Sequence, residues 1–282
     1  MYISNISETT VSGSRISVRQ AEDPDMGLNS IQSYQLSSNT HFLLDVEMRS
    51  DGIRYAELVL EKSLDREEQA VHNLILTATD GGDPVRSGTA QIRVIVLDAN
   101  DNAPIFSQPV YKVSVWENVP EGSTLVTVKA TDLDEGANKE VKYSFQKITD
   151  KAPQMFHLDP KTGEITLVGK LDFEESRDYH MAVEAKDGGG LVTHCKVEIE
   201  VLDENDNAPE MTLTSVSNPI PEDSLRGRVI ALINVKDKDS EDNGKVSCHL
   251  QDDLPFKIIS PLYRDRTKET YTIHDRSQSV LQ

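Results

Sequence analysis

Two strings of acids and amides, LDANDNAP at residues 97–104 and LDENDNAP at residues 202–209, stand 105 residues apart and differ at one position. Other acidic strings keep step with them. TDLDEGAN from Thr131 returns as KDKDSEDN from Lys236, with an earlier relative in EDPDMGLN from Glu22. LDRE at 64–67 matches LDFE at 171–174, and ATDGG at 78–82 matches AKDGG at 185–189. Glu8, Glu117 and Glu222 recur at nearly the same interval. Carboxylates, amides and backbone carbonyls are hard oxygen ligands, the donors that Ca²⁺ gathers six to eight at a time. A single-loop EF-hand fails, because the sixth position after Asp98 is Ala103 rather than Gly and the twelfth is Pro109 rather than Glu. Asp65 with Glu67 could be read as an acid/base pair for glycoside cleavage. The same pair recurs as Asp172 with Glu174, which suits a structural motif rather than a unique active site. The ligands must therefore come together from distant strings at a junction between repeats.

The charge balance agrees. Across 282 residues, 48 Asp and Glu outnumber 29 Lys and Arg, for a formal net charge of −19. Such a surface repels nucleic acid and anionic membranes. No apolar run reaches the ~20 residues a membrane helix needs, and MYISNISETT has neither the basic nor the apolar region of a signal peptide. The sequence holds no GxSxG, HExxH, Walker A or GxGxxG context, its seven His are scattered, and the reading is not an enzyme. Cys195 and Cys248 fall in phase with apolar neighbours and are expected to be buried free thiols. Asn5-Ile6-Ser7 is the one glycosylation sequon, which makes Asn5 a glycosylation candidate.

The elements that must position these acids are strands. Tyr179, Met181, Val183 and Ala185 alternate with more polar positions, as do Val197, Ile199 and Val201, and Tyr111, Val113 and Val115. Period two with one polar face predicts half-buried strands, and Gly, Pro, Asn and Asp turns every 8–12 residues or so predict a seven-strand sandwich. The fold class is all-β: tandem Greek-key, Ig-like sandwiches joined by short linkers at the NDNAP strings, where Pro disfavours both ladder and helix. The repeats are expected at 1–106 and 107–210, with a truncated third at 211–282 whose tail diverges after about residue 259.

Taken together, the xEx, LDRE, DxNDN, DxDxGxN and xDG strings at this spacing resemble the cadherin repeat. EDPDMGLNSIQSYQL from Glu22 and LVLEKSLDREE from Leu58 are similar to the clustered protocadherins of the gamma group, as is the run from Thr77 through Pro104. The resemblance implies second, third and broken fourth extracellular repeats, with the first repeat missing. It implies about three Ca²⁺ per complete junction. The first junction would use Glu8, Asp65, Glu67, Asp98, Ala99, Asn100, Asp101, Asn102, Asp132, Asp134, Asn138 and Asp187. The second would use Glu117, Asp172, Glu174, Asp203, Glu204, Asn205, Asp206, Asn207, Asp237, Asp239 and Asn243, and lacks the last aspartate of the set. Asp23, Asp25 and Asp80 form one half-site and Glu222 another. Three Ca²⁺ would nearly neutralise the eight carboxylates of the first junction, leaving a splayed linker without metal and a stiff one with it. The implied function is calcium-dependent homophilic adhesion at the neuronal cell surface. Its partner is the same or a related protocadherin bound antiparallel; no small-molecule substrate or nucleic acid is involved, and membrane attachment comes only through parts of the parent beyond this chain. The alternative is a non-adhesive calcium-stiffened spacer or a truncated decoy.

Overall fold

The computed structural model describes residues 2–49, 54–148, 154–221, 223–225, 227–251, 254–259 and 269–275. These form strands and turns, with a 3₁₀ turn at Gly27–Asn29. Two compact units emerge. The first holds residues 1–107 with 130–142 and 185–193, and the second holds 108–129, 143–184 and 194–282.

The first unit contains a sandwich of seven strands. Tyr2–Ser7 (β1), Arg15–Ser17 (β2), Ile31–Leu36 (β3), Phe42–Met48 (β4), Arg54–Leu60 (β5), Val71–Asp80 (β6) and Ser87–Leu97 (β7) build it. One sheet runs β1-β7-β6-β3 and the other β2-β5-β4. β1 pairs parallel with β7, Ile6 opposite Val96, whereas the other ladders are antiparallel. Between the sheets lie Phe42, Leu58, Leu60, Leu74, Ile92 and Val94, each buried, as alternation of apolar residues requires when one face of each sheet is covered. Ile105–Phe106 (β8), just past the first NDNAP string, pairs with Ala130–Thr131, the later strand β11.

The second unit repeats the plan. Val110–Trp116 (β9), Lys142–Ile148 (β12), Asp178–Lys186 (β15) and Val192–Leu202 (β16) form a sheet in the order β12-β15-β16-β9. Thr124–Thr127 (β10), Phe156–Leu158 (β13) and Glu164–Leu167 (β14) form the other, in the order β10-β14-β13. β9 pairs parallel with β16, Val115 opposite Val201. Tyr179, Met181, Val183, Ala185, Val197, Ile199 and Val201 are all buried, so the period-two reading of these strands holds residue by residue. Cys195 is buried with them, and burial pushes its thiol up to about 11. Cys248 is half-buried, less covered than its alternation implied.

Beyond residue 209, Glu210–Val216 (β17), Val229–Lys236 (β18), Phe256–Ile259 (β19) and Glu269–Asp275 (β20) make a sheet in the order β17-β18-β20-β19. The tail diverges from the repeat's motifs, yet β20 pairs with β18 and buries Tyr271 with Ile233 and Val235. ETYTIHD lacks an LDxE string but alternates Tyr271 and Ile273 with threonines, which suffices for a strand.

Candidate metal centres

Each acidic junction set lies within one of the two units. In the first, Glu8 follows the end of β1. Its two carboxylate oxygens accept the backbone N–H of Arg66 at 2.8 Å and of Ala99 at 2.6 Å. In the second, Glu117 follows β9 and accepts the N–H of Phe173 at 2.7 Å and of Glu204 at 2.8 Å. The two glutamates are thus clamped in the same way, each by the acidic loop and by the linker. Asp98 accepts from the Asn138 side-chain amide at 2.9 Å and the Glu135 N–H at 3.1 Å. Asp203 repeats this with Asn243 at 2.9 Å and Ser240 at 3.1 Å. The Asn102 amide reaches Asp101 at 2.8 Å and Asp134 at 2.9 Å, and Asn207 reaches Asp206 at 2.7 Å and Asp239 at 2.8 Å.

The DxD strings fold by one local rule. The N–H of the second aspartate turns back to the first carboxylate, Asp25 to Asp23 at 3.0 Å, Asp134 to Asp132 at 2.9 Å and Asp239 to Asp237 at 3.1 Å. Two residues after the second aspartate, the backbone takes positive φ in all three strings: 64° at Gly27, 58° at Gly136 and 48° at Glu241.

This folding brings buried acids together with more exposed ones, and among the described residues only Asp132, Asp134 and Asp187 form a wholly buried group. Asp132, Asp134, Asp187, Glu8, Glu117, Asp237 and Asp239 are buried, and Asp134 has no exposed surface. Ligand atoms lie within 4.8 Å of one another in five groups among the described residues. Three belong to the first junction: Glu8, Glu67 and Asp98; Glu67, Asp101 and Asp134; and Asp132, Asp134 and Asp187. Two belong to the second: Glu117, Glu174 and Asp203; and Glu174, Asp206 and Asp239. The group that would need the missing aspartate has no second-junction counterpart among the described residues.

Burial and like charge act together on these carboxyls. Glu174 is pushed up to about 7, by burial first and then by Glu117, Asp172 and Asp206. Burial also raises Glu67, with Glu8 and Asp101 adding to it, and Asp101, with Glu8 and Asp134 adding to it. Asp132 rises through burial and the Asp134, Asp187 and Asp98 charges, against the opposing Asp134 N–H. Among the described residues, the buried side-chain oxygens without a hydrogen-bond partner are Oδ1 of Asn100, Oδ2 of Asp132, Asp134 and Asp187, and Oδ1 of Asp203. Burying a charge without a counter-charge is costly. Oxygen acceptors aimed at one another are a donor set for a hard cation, and the residues fit Ca²⁺. The backbone is shaped to this set as well, since a Cβ on Gly189 would lie 2.0 Å from the Asn100 side chain.

Other expected ligands sit differently. Asp65 and Asp172 are exposed and fall in none of the five groups; each accepts a backbone N–H, from Glu68 at 3.0 Å and Glu175 at 2.9 Å. The Ala99 and Glu204 carbonyls accept the N–H of Asp101 and Asp206, both at 2.9 Å. Asn205 is exposed. In the half-site, Asp80 accepts the N–H of Arg86 at 2.8 Å and Gly82 at 3.3 Å, much as Asp187 accepts that of Leu191 at 2.9 Å. Glu222 lies outside the described residues. Arg66 received no role from the sequence, yet its buried guanidinium pairs with Glu67, with Asp98 at 2.7 Å and with Glu135 at 2.9 Å. The replacement of Arg by Phe between LDRE and LDFE was the available signal.

The model of the cadherin domain matches residues 2–97 and 111–202. Human protocadherin gamma-A4 is 57% identical over 268 residues, covering 94% of this chain and 28% of that protein. Chimpanzee protocadherin gamma-A12 is 54% identical over 273 residues, covering 97% and 29%. The chain thus spans under a third of the length of these relatives. Among solved structures, extracellular cadherin domains 1–5 of protocadherin gamma B2 superpose with a TM-score of 0.91 at 45% identity, over 98% of this chain and 51% of that one. Domains 1–4 of protocadherin gamma B7 give 0.88 at 49% identity, over 98% and 66%.

Proposed function

We propose, from the premise that this chain belongs to the cadherin family, that it is a calcium-stiffened extracellular segment of a cell-adhesion protein of the gamma-protocadherin kind. The observation that carries the reading is the clustering of carboxylates at both NDNAP linkers, with buried partnerless oxygens among them, four in the first set and one in the second among the described residues. Bound Ca²⁺ would supply the positive charge that these carboxylates need. Glu8 and Glu117 orient the linker by their paired N–H bonds, Asn102 and Asn207 tie linker to DxD string, and Asn138 and Asn243 steady Asp98 and Asp203. The three groups of the first junction suit three ions and the two of the second suit two. Asp23, Asp25 and Asp80 would complete a further site with an upstream repeat. The repeats run at 1–106, 107–210 and from 211 onward.

Members of this family are adhesion proteins rather than enzymes, and on this reading the chain works at the cell surface, on its extracellular side. Its partner is a second protocadherin of the same or closely related sequence, paired antiparallel. Asn5 is exposed on β1 and is open to glycosylation. Limited proteolysis at residues 98–104 and 203–209, in millimolar Ca²⁺ and in chelator, tests the metal reading; equal cleavage in both overturns it. Sedimentation equilibrium in Ca²⁺ tests the pairing: a monomer at every concentration leaves this segment as a spacer.

A further inference from the structure

Among the described residues, Arg66 is the one Lys or Arg that is buried, and it sits amid the acids of the first junction. Its guanidinium pairs with Glu67, Asp98 and Glu135 and donates to the Leu133 carbonyl at 3.0 Å. It therefore ties the LDRE loop and the linker to the DxD string. Phe173 holds the matching place in the second junction. Its N–H clamps Glu117 as that of Arg66 clamps Glu8, but its ring brings no charge to the acids, and the Arg177 guanidinium lies 4.7 Å from its centre. The groups Glu8–Glu67–Asp98 and Glu117–Glu174–Asp203 thus present the same ligand types, and among the described residues only the first has a guanidinium bonded to its carboxylates.

We infer that Arg66 is a positioning residue that sets the calcium response of the first junction apart from that of the second. A guanidinium stays charged at all working pH values and commits its N–H groups to carboxylate oxygens in a planar fork. It therefore opposes a divalent ion at Glu8–Glu67–Asp98 by repulsion and by occupying lone pairs of Glu67 and Asp98. The same contacts keep the strings of the first junction assembled when calcium is scarce. The second junction has no such brace, so its Glu117–Glu174–Asp203 group fills at lower Ca²⁺ and its linker loosens more fully without the ion.

The inference rests on the calcium reading, and one experiment separates the two. The full chain, Arg66→Phe and Phe173→Arg are each titrated with CaCl₂ by calorimetry and digested in chelator, with cleavage followed at each linker. Arg66→Phe should tighten the weaker class of sites by about tenfold, the scale of one extra unit charge a few ångströms from the ion at high effective dielectric. It should also speed cleavage at 98–104 in chelator several-fold. Phe173→Arg should do the opposite at 203–209. Unchanged or weakened calcium binding in Arg66→Phe overturns the inference, as does a Phe173→Arg chain whose second linker is neither protected in chelator nor weaker for Ca²⁺. If Arg66→Phe does not fold, Arg66→Gln and the Phe173→Arg arm decide. A parent chain that binds no Ca²⁺ overturns the calcium reading itself.

Discussion

The Glu8 carboxylate accepts the backbone N–H of Ala99 at 2.6 Å across 91 residues of sequence, and its other oxygen accepts that of Arg66 at 2.8 Å. Glu8 is therefore a structural clamp as well as a ligand. Removing it strands two covered N–H groups, at about 1–3 kcal/mol by the cost of unsatisfied buried polar groups. Glu8→Ala should lower thermal stability even in chelator, and Glu8→Gln, which keeps one acceptor, should lower it less. Equal melting of Glu8→Ala and the parent chain in chelator would refute the clamp.

Asp134 should behave with the opposite sign. It has no exposed surface, its Oδ2 has no hydrogen-bond partner, and it takes part in two of the three acidic groups of the first junction. Like charges a few ångströms apart repel by about 1–4 kcal/mol per pair at effective dielectrics of 80 to 20. Asp134→Ala removes that repulsion at the loss of the Asn102 hydrogen bond, so in chelator the variant should be as stable as the parent or more so. In Ca²⁺ it should lose protease protection at 98–104 and keep it at 203–209. Protection at both linkers would remove Asp134 from the ligand set.

Gly188 stands against the Ala137 carbonyl: a Cβ there would lie 2.0 Å from its oxygen, a backbone atom that cannot swing aside. Gly188→Ala must push the loop after β15 away from the DxD string and carry Asp187 with it. The expected cost is about 1–3 kcal/mol, typical of overpacking. The calcium midpoint for protection at 98–104 should rise, with no change at 203–209. A midpoint equal to the parent's would mean that the loop tolerates the shift.

Much of this was legible in the sequence because the repeat shows each motif twice. Alternation at Tyr179–Ala185 placed every inward residue, since a sheet with one covered face has no other way to dispose of them. The acids were legible as a set because LDRE, NDN and DxD strings kept their spacing. Individual roles were not. Asp65 and Glu67 look equivalent as ligands in the LDRE string. Yet Asp65 turns outward to cap Glu68 while Glu67 joins two acidic groups, a choice made by side-chain direction in a turn. Arg66 was hidden for a related reason, since its partners Asp98 and Glu135 lie on other strings. The strand at Glu269–Asp275 carries none of the repeat's acidic motifs, although its alternation was present.

Glu241 carries a positive φ of 48° at the position where the other repeats place Gly27 and Gly136. A residue with a Cβ is strained there by about 1–2 kcal/mol, while glycine costs backbone entropy in the unfolded chain. The strain is the larger effect, so Glu241→Gly should stabilise the chain by up to about 1 kcal/mol. It also removes a carboxylate from an acidic neighbourhood, and Glu241→Ala, which loses the charge but keeps the Cβ, separates the two. Equal stabilisation by both variants would assign the effect to charge rather than to backbone.

His72 supplies a pH response independent of the metal sites. It is buried, with the His41 ring 4.7 Å away and the Phe42 ring 5.5 Å away, both centre to centre. Burial first, and then the positive charge of His41, hold it below the usual 6.5. Between that lowered value and 6.5 the unfolded chain binds more protons than the folded one, so stability rises with pH across the window. The contribution of neutral His72 is therefore complete above 6.5 and is lost as pH falls through the window. His72→Phe keeps a ring beside Phe42 and His41 without the titration. Melting temperatures of the parent chain and the variant, both in chelator and compared from about pH 7.5 down to about 5.5, should diverge, with the parent falling more steeply. The carboxylates are common to both chains, so the difference isolates His72; parallel profiles would show that its burial costs nothing on protonation.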